Sequence, residues 1–232
     1  GEFKPDVVIA ADDNAAKYII AAYYKDAKLP LVFCGLNWDA SVYGMPYTNV
    51  TGMVEVSLTN EIINNLRSYA RGNRLAYLSA DTETERKNEV YYKKILNLSF
   101  DKVYYAKTLE EWKQAFLKLQ DEVDMIIIEN NAGIPDWDDK AAEEFVLANV
   151  KVPAGTTNPW MVPFSLLGIT KVAEEQGIWS AQTALKILGG TSPANIPLVT
   201  NKQGKFSLNM KVANKIGVVF KPALLKHAEI LK

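Results

Sequence analysis

The sequence predicts an α/β fold with parallel sheets, built as two βα blocks spanning roughly residues 5–53 and 73–158. Three observations predict it. Five apolar, strand-like stretches run straight into polar or aromatic clusters: VVIAADDN (7–14), LVFCGLNW (31–38), LAYLSAD (75–81), MIIIENN (125–131) and VPAGTTNPW (152–160). Helix-length amphipathic segments alternate with the strands, which implies parallel pairing through right-handed crossovers. The rhythm breaks near Val54 and again after Trp160. On this basis residues 1–54 plus part of 160–232 form one lobe, and 55–159 plus part of 190–232 the other.

The elements follow in order. Val7–Ala11 is a short β-branched run, and Asp12, Asp13 or Asn14 supplies a capping oxygen for a helix over Ala15–Lys25. Leu29–Phe33 is continuously apolar, as in a strand buried on both faces. A long aromatic-rich loop is expected from Cys34 to Thr51, then a crossing strand at Val54–Ser57. Asn60–Ala70 places Ile62, Ile63 and Leu66 on one helical face. Strands follow at Leu75–Ser79, Lys102–Lys107, Met125–Glu129 and Val152–Gly155. Helices lie between them at Thr82–Leu96, Leu109–Leu119 and Lys140–Ala148. Beyond Trp160 come an apolar stretch at Leu166–Val172 and a helix over Gly177–Leu188. Ile196–Thr200 and Lys205–Leu208 read as a hairpin-like pair, and Asn209–Ile216 and Pro222–Leu231 as closing helices.

Bulk properties narrow the function. A net charge of −1 with scattered basic residues provides no field for nucleic acid or an acidic membrane. No apolar run reaches the roughly 20 residues of a membrane-spanning helix. Cys34 is the one cysteine and His227 the one histidine, which removes imidazole triads, zinc sets and internal disulfides. Neither GxxxxGK[ST] nor GxGxxG occurs, so no cofactor is expected. Gly1-Glu2-Phe3 reads as a cloning remnant. Asn49-Val50-Thr51 matches a glycosylation sequon, with a structural role preferred.

In open α/β sheets, ligands bind beyond the carboxyl ends of the strands. The candidate ligand residues are therefore Asp12, Asp13 and Asn14, then Asn37 and Trp38, Asp81, Glu129, Asn130 and Asn131, and Thr156, Thr157 and Trp160. Each has a plainer reading. The Asp12–Asn14 group and Asp81 with Thr82 can serve as helix caps; Trp38, Tyr43 and Tyr47 can be loop packing. Glu129, Asn130 and Asn131 are poor core material after four apolar residues, which favours a functional role. Trp137 is placed in the loop beside Asn131. Acids, amides and aromatic faces suit a small zwitterion with an apolar part, and also a sugar. Paired carboxylates such as Asp12 with Glu129 leave an enzyme as a less favoured alternative.

Four strings carry a family resemblance. NVTGMVEVSL (49–58) resembles the N-x-TG passage of ABC-transporter substrate-binding proteins of the type I periplasmic binding fold. KPDVVIAADDNAAKYI (4–19), EEQGIWSAQTALKILGGTSPANIP (174–197) and SLNMKVANKIGVVFKPALLKHAEIL (207–231) are similar to further parts of that family, in the right order. The resemblance implies two Rossmann-like lobes joined by hinge crossovers and closing on a small solute. It also implies delivery to an ABC permease, a periplasmic or cell-surface location, no enzymatic activity, and an amino-acid-like ligand. The same lobes would serve as the extracytoplasmic sensor domain of a membrane receptor. The family's first lobe carries one further strand, helix and strand ahead of the part matched. The resemblance thus implies removal by proteolysis, completion by another chain, or an exposed sheet edge open to association.

Overall fold

The computed structural model describes residues 3–232; Gly1 and Glu2 of the expected cloning remnant lie outside them. Strand β1 (Val8–Ala11) leads into helix α1 (Asp12–Ala15), a π-helical turn (Ala16–Ile20) and α2 (Ala21–Tyr23). Then come β2 (Leu31–Asn37), a 3₁₀ turn (Ala40–Tyr43), β3 (Val50–Glu55) and α3 (Thr59–Leu66). Next are β4 (Leu75–Ala80), α4 (Glu83–Leu96), β5 (Lys102–Ala106), α5 (Leu109–Glu122), β6 (Met125–Ile128), α6 (Asp139–Asn149) and β7 (Ala154–Thr156). A 3₁₀ turn (Pro159–Phe164), β8 (Leu167–Lys171), α7 (Ala173–Leu188), β9 (Val199–Thr200) and β10 (Gly204–Asn209) follow. The chain ends with α8 (Met210–Ile216), α9 (Pro222–Leu225) and β11 (Glu229–Leu231).

Two compact units emerge. Unit 1 comprises Gly1–Ser57 and Lys171–Gln203; unit 2 comprises Leu58–Thr170 and Gly204–Lys232. The backbone passes between them at 57/58, 170/171 and 203/204.

Among the described residues, unit 1 holds a parallel sheet of order β1-β2-β3-β9. Leu31 and Phe33 of β2 pack with Ala16 and Ile20 on one face. Val32 points the other way, against Ala184 and Ile187 of α7. A bulge interrupts this alternation, because Phe33 pairs with Gly52 but Leu36 pairs with Val54. One extra residue reverses the parity of a strand, which returns Leu36 to the Leu31 face. The bulge carries Gly35 at φ +66°, a conformation that favours glycine. The expected loop from Cys34 is therefore strand as far as Asn37. Of the expected crossing strand at Val54–Ser57, Val54 and Glu55 end β3, a full sheet member, and Val56 and Ser57 lead to the 57/58 crossing. β1 is an edge strand, and Ile9 on it is 48% exposed.

Gly52 has a packing reason. A Cβ there would enter the space of the buried Phe33 ring. Overpacking a full core forces off-rotamer side chains. Gly52→Ala is expected to cost about 1–3 kcal/mol of stability, read by urea denaturation; a midpoint equal to wild type would show that Phe33 yields freely.

Unit 2 holds the sheet β11-β10-β8-β7-β6-β4-β5 among the described residues, parallel at β4–β5, β4–β6, β6–β7, β7–β8 and β10–β11. All of Leu75–Ala80 and Met125–Ile128 is buried, as central parallel strands covered on both faces require. Trp112 stacks on Phe116 and meets Trp137 and Phe164 edge-on. A second aromatic group joins Tyr77, Tyr92, Phe100 and Tyr105.

Two expectations are corrected here. The hairpin across Gly204 does not form: β9 pairs with β3 in unit 1, whereas β10 joins the unit 2 sheet. The closing helix over Pro222–Leu231 ends at Leu225, and Glu229–Leu231 pairs with Ser207–Asn209 as a strand. Its apolar residues satisfy either periodicity over so short a span.

Candidate functional site

The strand ends of unit 1 are tied together by Asp13. Its Oδ2 accepts from the Asn37 backbone N–H (3.2 Å) and from Asn37 Nδ2 (2.6 Å). Its Oδ1 accepts from the Tyr43 hydroxyl at 2.8 Å. The capping expectation is corrected. Ala11 stands at the N-cap position without a side-chain cap, and Asp12 and Asp13 lie in the first turn. Asp12 is exposed at φ +81°, and its Oδ1 accepts from Asp13 N. Asn14 is exposed one residue further on. Asn37 is exposed and Trp38 half-buried, the latter at φ +64° with its N–H given to the Glu55 carbonyl at 2.9 Å. Tyr47 is buried packing, and its hydroxyl donates to the Tyr43 carbonyl.

Glu55 and Gln176 were invisible as site residues in the sequence. The bulge leaves the Gly35 N–H without a sheet partner, and Gln176 Oε1 accepts it at 2.6 Å. Gln176 Nε2 donates to Glu55 Oε2 at 2.7 Å, and the other Glu55 oxygen pairs with Lys171 Nζ. Buried amide groups need such partners. Only the tertiary fold brings residues 35, 55, 171 and 176 together.

In unit 2 the ends of β4, β6 and β7 meet around Glu129. It is 2% exposed, not at an open strand end. Its Oε2 accepts from Thr157 Oγ1 (2.6 Å) and Asn158 Nδ2 (2.5 Å), and its Oε1 from the Tyr92 hydroxyl (3.2 Å). Burial, reinforced by the charge of nearby Glu85, pushes the Glu129 carboxyl up to about 8; the hydrogen bonds from Thr157 and Tyr92 pull the other way. Glu85 is also buried and accepts from the Tyr77 hydroxyl at 2.6 Å. Burial first, then the neighbouring acidic groups, holds that phenol well above its usual value. A carboxyl held that high carries its proton near neutrality.

The remaining predicted residues have distinct placements. The Asn130 carbonyl accepts from Ser79 Oγ and Ala80 N, and its side-chain oxygen from Ala132 N, which leaves Asn130 half-buried. Asn131 is half-buried in the turn closed by Ile134 N. Asp81 pairs with Arg86 and Lys107, while Thr82 caps α4 through Glu85 N. Thr156 is buried and its Oγ1 accepts from Asn158 N. Trp160 is 52% exposed. Trp137 lies in the loop that also carries Asn131, linked to it through the turns at Ile134, and its ring packs edge-on against Trp112. The structure thus groups Asp13 with Asn37 in unit 1, and Glu129 with Thr157 in unit 2. Among the described residues no three His, Cys, Asp or Glu side chains gather as a metal site. A depression of about 430 Å³ lies in unit 2 between Pro159, Val162, Pro163, Ser207 and β11, and none of the candidate residues lines it.

A family model described as ABC transporter substrate binding protein matches residues 2–232. The chain belongs to this family. Among solved structures, this substrate-binding chain is similar to a ligand-free, open substrate binding protein with adhesive properties from Clostridium difficile. There the TM-score is 0.74 at 16% identity, covering 98% of this chain and 78% of that one. A conserved domain protein from Vibrio cholerae gives a TM-score of 0.56 at 16% identity, covering 99% of this chain and 79% of that one. An ABC domain in complex with L-Trp from Streptococcus pneumoniae gives 0.53 at 19% identity, covering 99% and 81%. At these identities the likeness shows the fold alone, an α/β architecture of parallel sheets. No curated protein matches the sequence.

Proposed function

We propose that the chain is the solute-capturing component of an ABC import system and binds a small amino-acid-like molecule. Family membership supports capture and delivery to a membrane permease outside the cytoplasm, at the periplasm or cell surface. The observation that carries the reading is the polar strand-end group in each unit: Asp13 with Asn37 and Tyr43 in one, Asn130 and Thr157 in the other. Ligands of open α/β sheets collect at such ends. Asp12, Asn14, Asn37 and Trp38 are the proposed contacts from unit 1, and Asp81, Asn130, Asn131, Thr157 and Trp160 those from unit 2. Glu129 and Thr156 are buried, so in this reading they hold Thr157 and Asn158 in place. The exposed Asp12 carboxylate suits an ammonium group, and Trp38 and Trp160 suit an apolar or aromatic part. L-Trp in a structural neighbour favours the same class. Three backbone crossings support hinge closure, which a solute drives only by binding the closed state more tightly. The open edge of β1 supports association with a further chain or strand.

A thermal-shift screen of amino acids, sugars and small acids tests this. A ligand held only by the folded state at 100 times its Kd adds about 2.7 kcal/mol, so aromatic amino acids should raise Tm by several degrees. The shift should shrink in Trp38→Ala. Sugars shifting Tm while amino acids do not would refute the ligand class.

A further inference from the structure

We infer that Lys171, Glu55 and Gln176 are positioning residues that set the stance of Asn37 and Trp38 for the solute without touching it. This rests on the capture reading above. The geometry is a continuous relay. Lys171 is the first residue of unit 1 after the second backbone crossing. Its Nζ pairs with one oxygen of Glu55, and Gln176 Nε2 donates to the other at 2.7 Å. Gln176, 5% exposed, accepts the Gly35 N–H at 2.6 Å. Gly35 is the bulged residue of β2, and Asn37 and Trp38 follow directly. The Trp38 N–H closes the circuit on the carbonyl of Glu55 itself.

Each joint has a physical reason to be firm. At the bulge the Gly35 N–H turns to a side-chain acceptor, Gln176 Oε1. A planar amide that donates at one end and accepts at the other fixes the distance between the Glu55 carboxylate and the bulge. The Lys171 charge aligns that carboxylate, and charge-assisted bonds exceed neutral ones in strength. Neighbouring contacts hold the same region at the other crossings. Val56 N donates to Asn201 Oδ1 at 2.7 Å, and the Glu175 carboxylate takes the N–H groups of Lys202 and Gln203. Strain arriving along residue 171 is therefore transmitted to the end of β2 rather than absorbed at the crossing.

The test combines a ligand-free readout with a binding one. Backbone amide spectra of Lys171→Met, Lys171→Arg, Glu55→Gln and Gln176→Met are compared with wild type. Lys171→Met should shift the Gly35, Asn37 and Trp38 resonances in the same direction as Gln176→Met. Lys171→Arg should restore them. The double variant should move them no further than Gln176→Met alone, because members of one network are non-additive. With L-tryptophan as probe, Kd should rise roughly tenfold in Lys171→Met, the loss of about one charge-assisted bond, and recover in Lys171→Arg. Unmoved Gly35–Trp38 resonances in Lys171→Met, or no recovery with arginine, overturn the relay. Absence of L-tryptophan binding to the wild-type protein counts against the capture reading instead, and the resonances still decide the relay. Lys171 and Glu55 are partly exposed, so their variants are expected to fold.

Discussion

Unfolding free energy should fall as pH rises from about 5 to 8, and Glu129→Gln should flatten that fall. The folded protein keeps the Glu129 proton to about pH 8, whereas an unfolded chain releases it near the ordinary glutamate value of 4.5. Between those limits folding takes up a proton. Stability is then fully present below the unfolded pKa and drains as pH climbs through the folded one. A shift of this size corresponds to a few kcal/mol, a large part of the 5–15 kcal/mol that holds a typical domain together. The groups facing the carboxyl are the Tyr92 hydroxyl, Thr157 and Asn158, with Glu85 and Tyr77 close by. None of them is cationic, so nothing there stabilises the ionised form by charge. Glutamine is uncharged and of the same shape as the protonated acid; its oxygen accepts from Thr157 and Asn158, and its N–H is accommodated when the Tyr92 hydroxyl turns from donor to acceptor. Urea titrations at pH 5, 6, 7 and 8 read the effect. A wild-type curve flat over this window, or an equal slope in the variant, would rule it out. At the acid end Asp124 works in the opposite sense: hydrogen bonds from Arg74 hold its carboxyl below the usual range, and that support is lost as pH falls through the lowered value.

Asp13→Ala should lower affinity for the solute by roughly ten- to a hundredfold, about 1.4–2.8 kcal/mol. The carboxylate gathers both amide donors of Asn37 and the Tyr43 hydroxyl. Removing it leaves the exposed Asn37 donors to water and deprives the Tyr43 hydroxyl of its part-buried acceptor, and a lost hydrogen bond costs about 0.5–1.5 kcal/mol. The consequence is a misplaced Asn37 and a loosened turn over residues 40–43. Tyr43→Phe deletes a single bond and should weaken binding only a few-fold. Calorimetry with L-tryptophan, alongside denaturation of each variant, separates misplacement from unfolding. An Asp13→Ala protein that binds as tightly as wild type would exclude this role.

Much of the fold could be read from the sequence because burial on both faces leaves a strong signature. The runs at Met125–Ile128 and Leu75–Ala80 have no polar interruption, and a strand in the middle of a parallel sheet needs none. The Gly52 position was legible only as a motif letter; its reason is a ring from a neighbouring strand. Residues 34–37 misled because a bulge places glycine and asparagine inside a strand, against their propensities. Glu229–Leu231 misled because its strand pairing depends on β10, which no local pattern announces. The site shows the same division. Asp13 and Asn37 stand in the polar clusters that directly follow the first two apolar runs of the sequence. Gln176 sits in the first turn of a helix 141 positions from its partner Gly35, and nothing local marks it. Glu129 reads by composition as poor core material, and the structure encloses it instead, because Tyr92, Thr157 and Asn158 supply the partners that let an acid be buried.

Asn49 has a practical consequence for producing this protein. Its side-chain nitrogen already donates to the carbonyls of Tyr24 (2.9 Å) and Leu29 (2.8 Å), and the residue is 6% exposed. That nitrogen is also the atom to which an oligosaccharide would be joined in the Asn-Val-Thr triplet. A yeast or mammalian secretory host therefore sets sugar attachment against folding at this position, and any glycan-bearing fraction would be material that never closed its first sheet. A bacterial host avoids the competition.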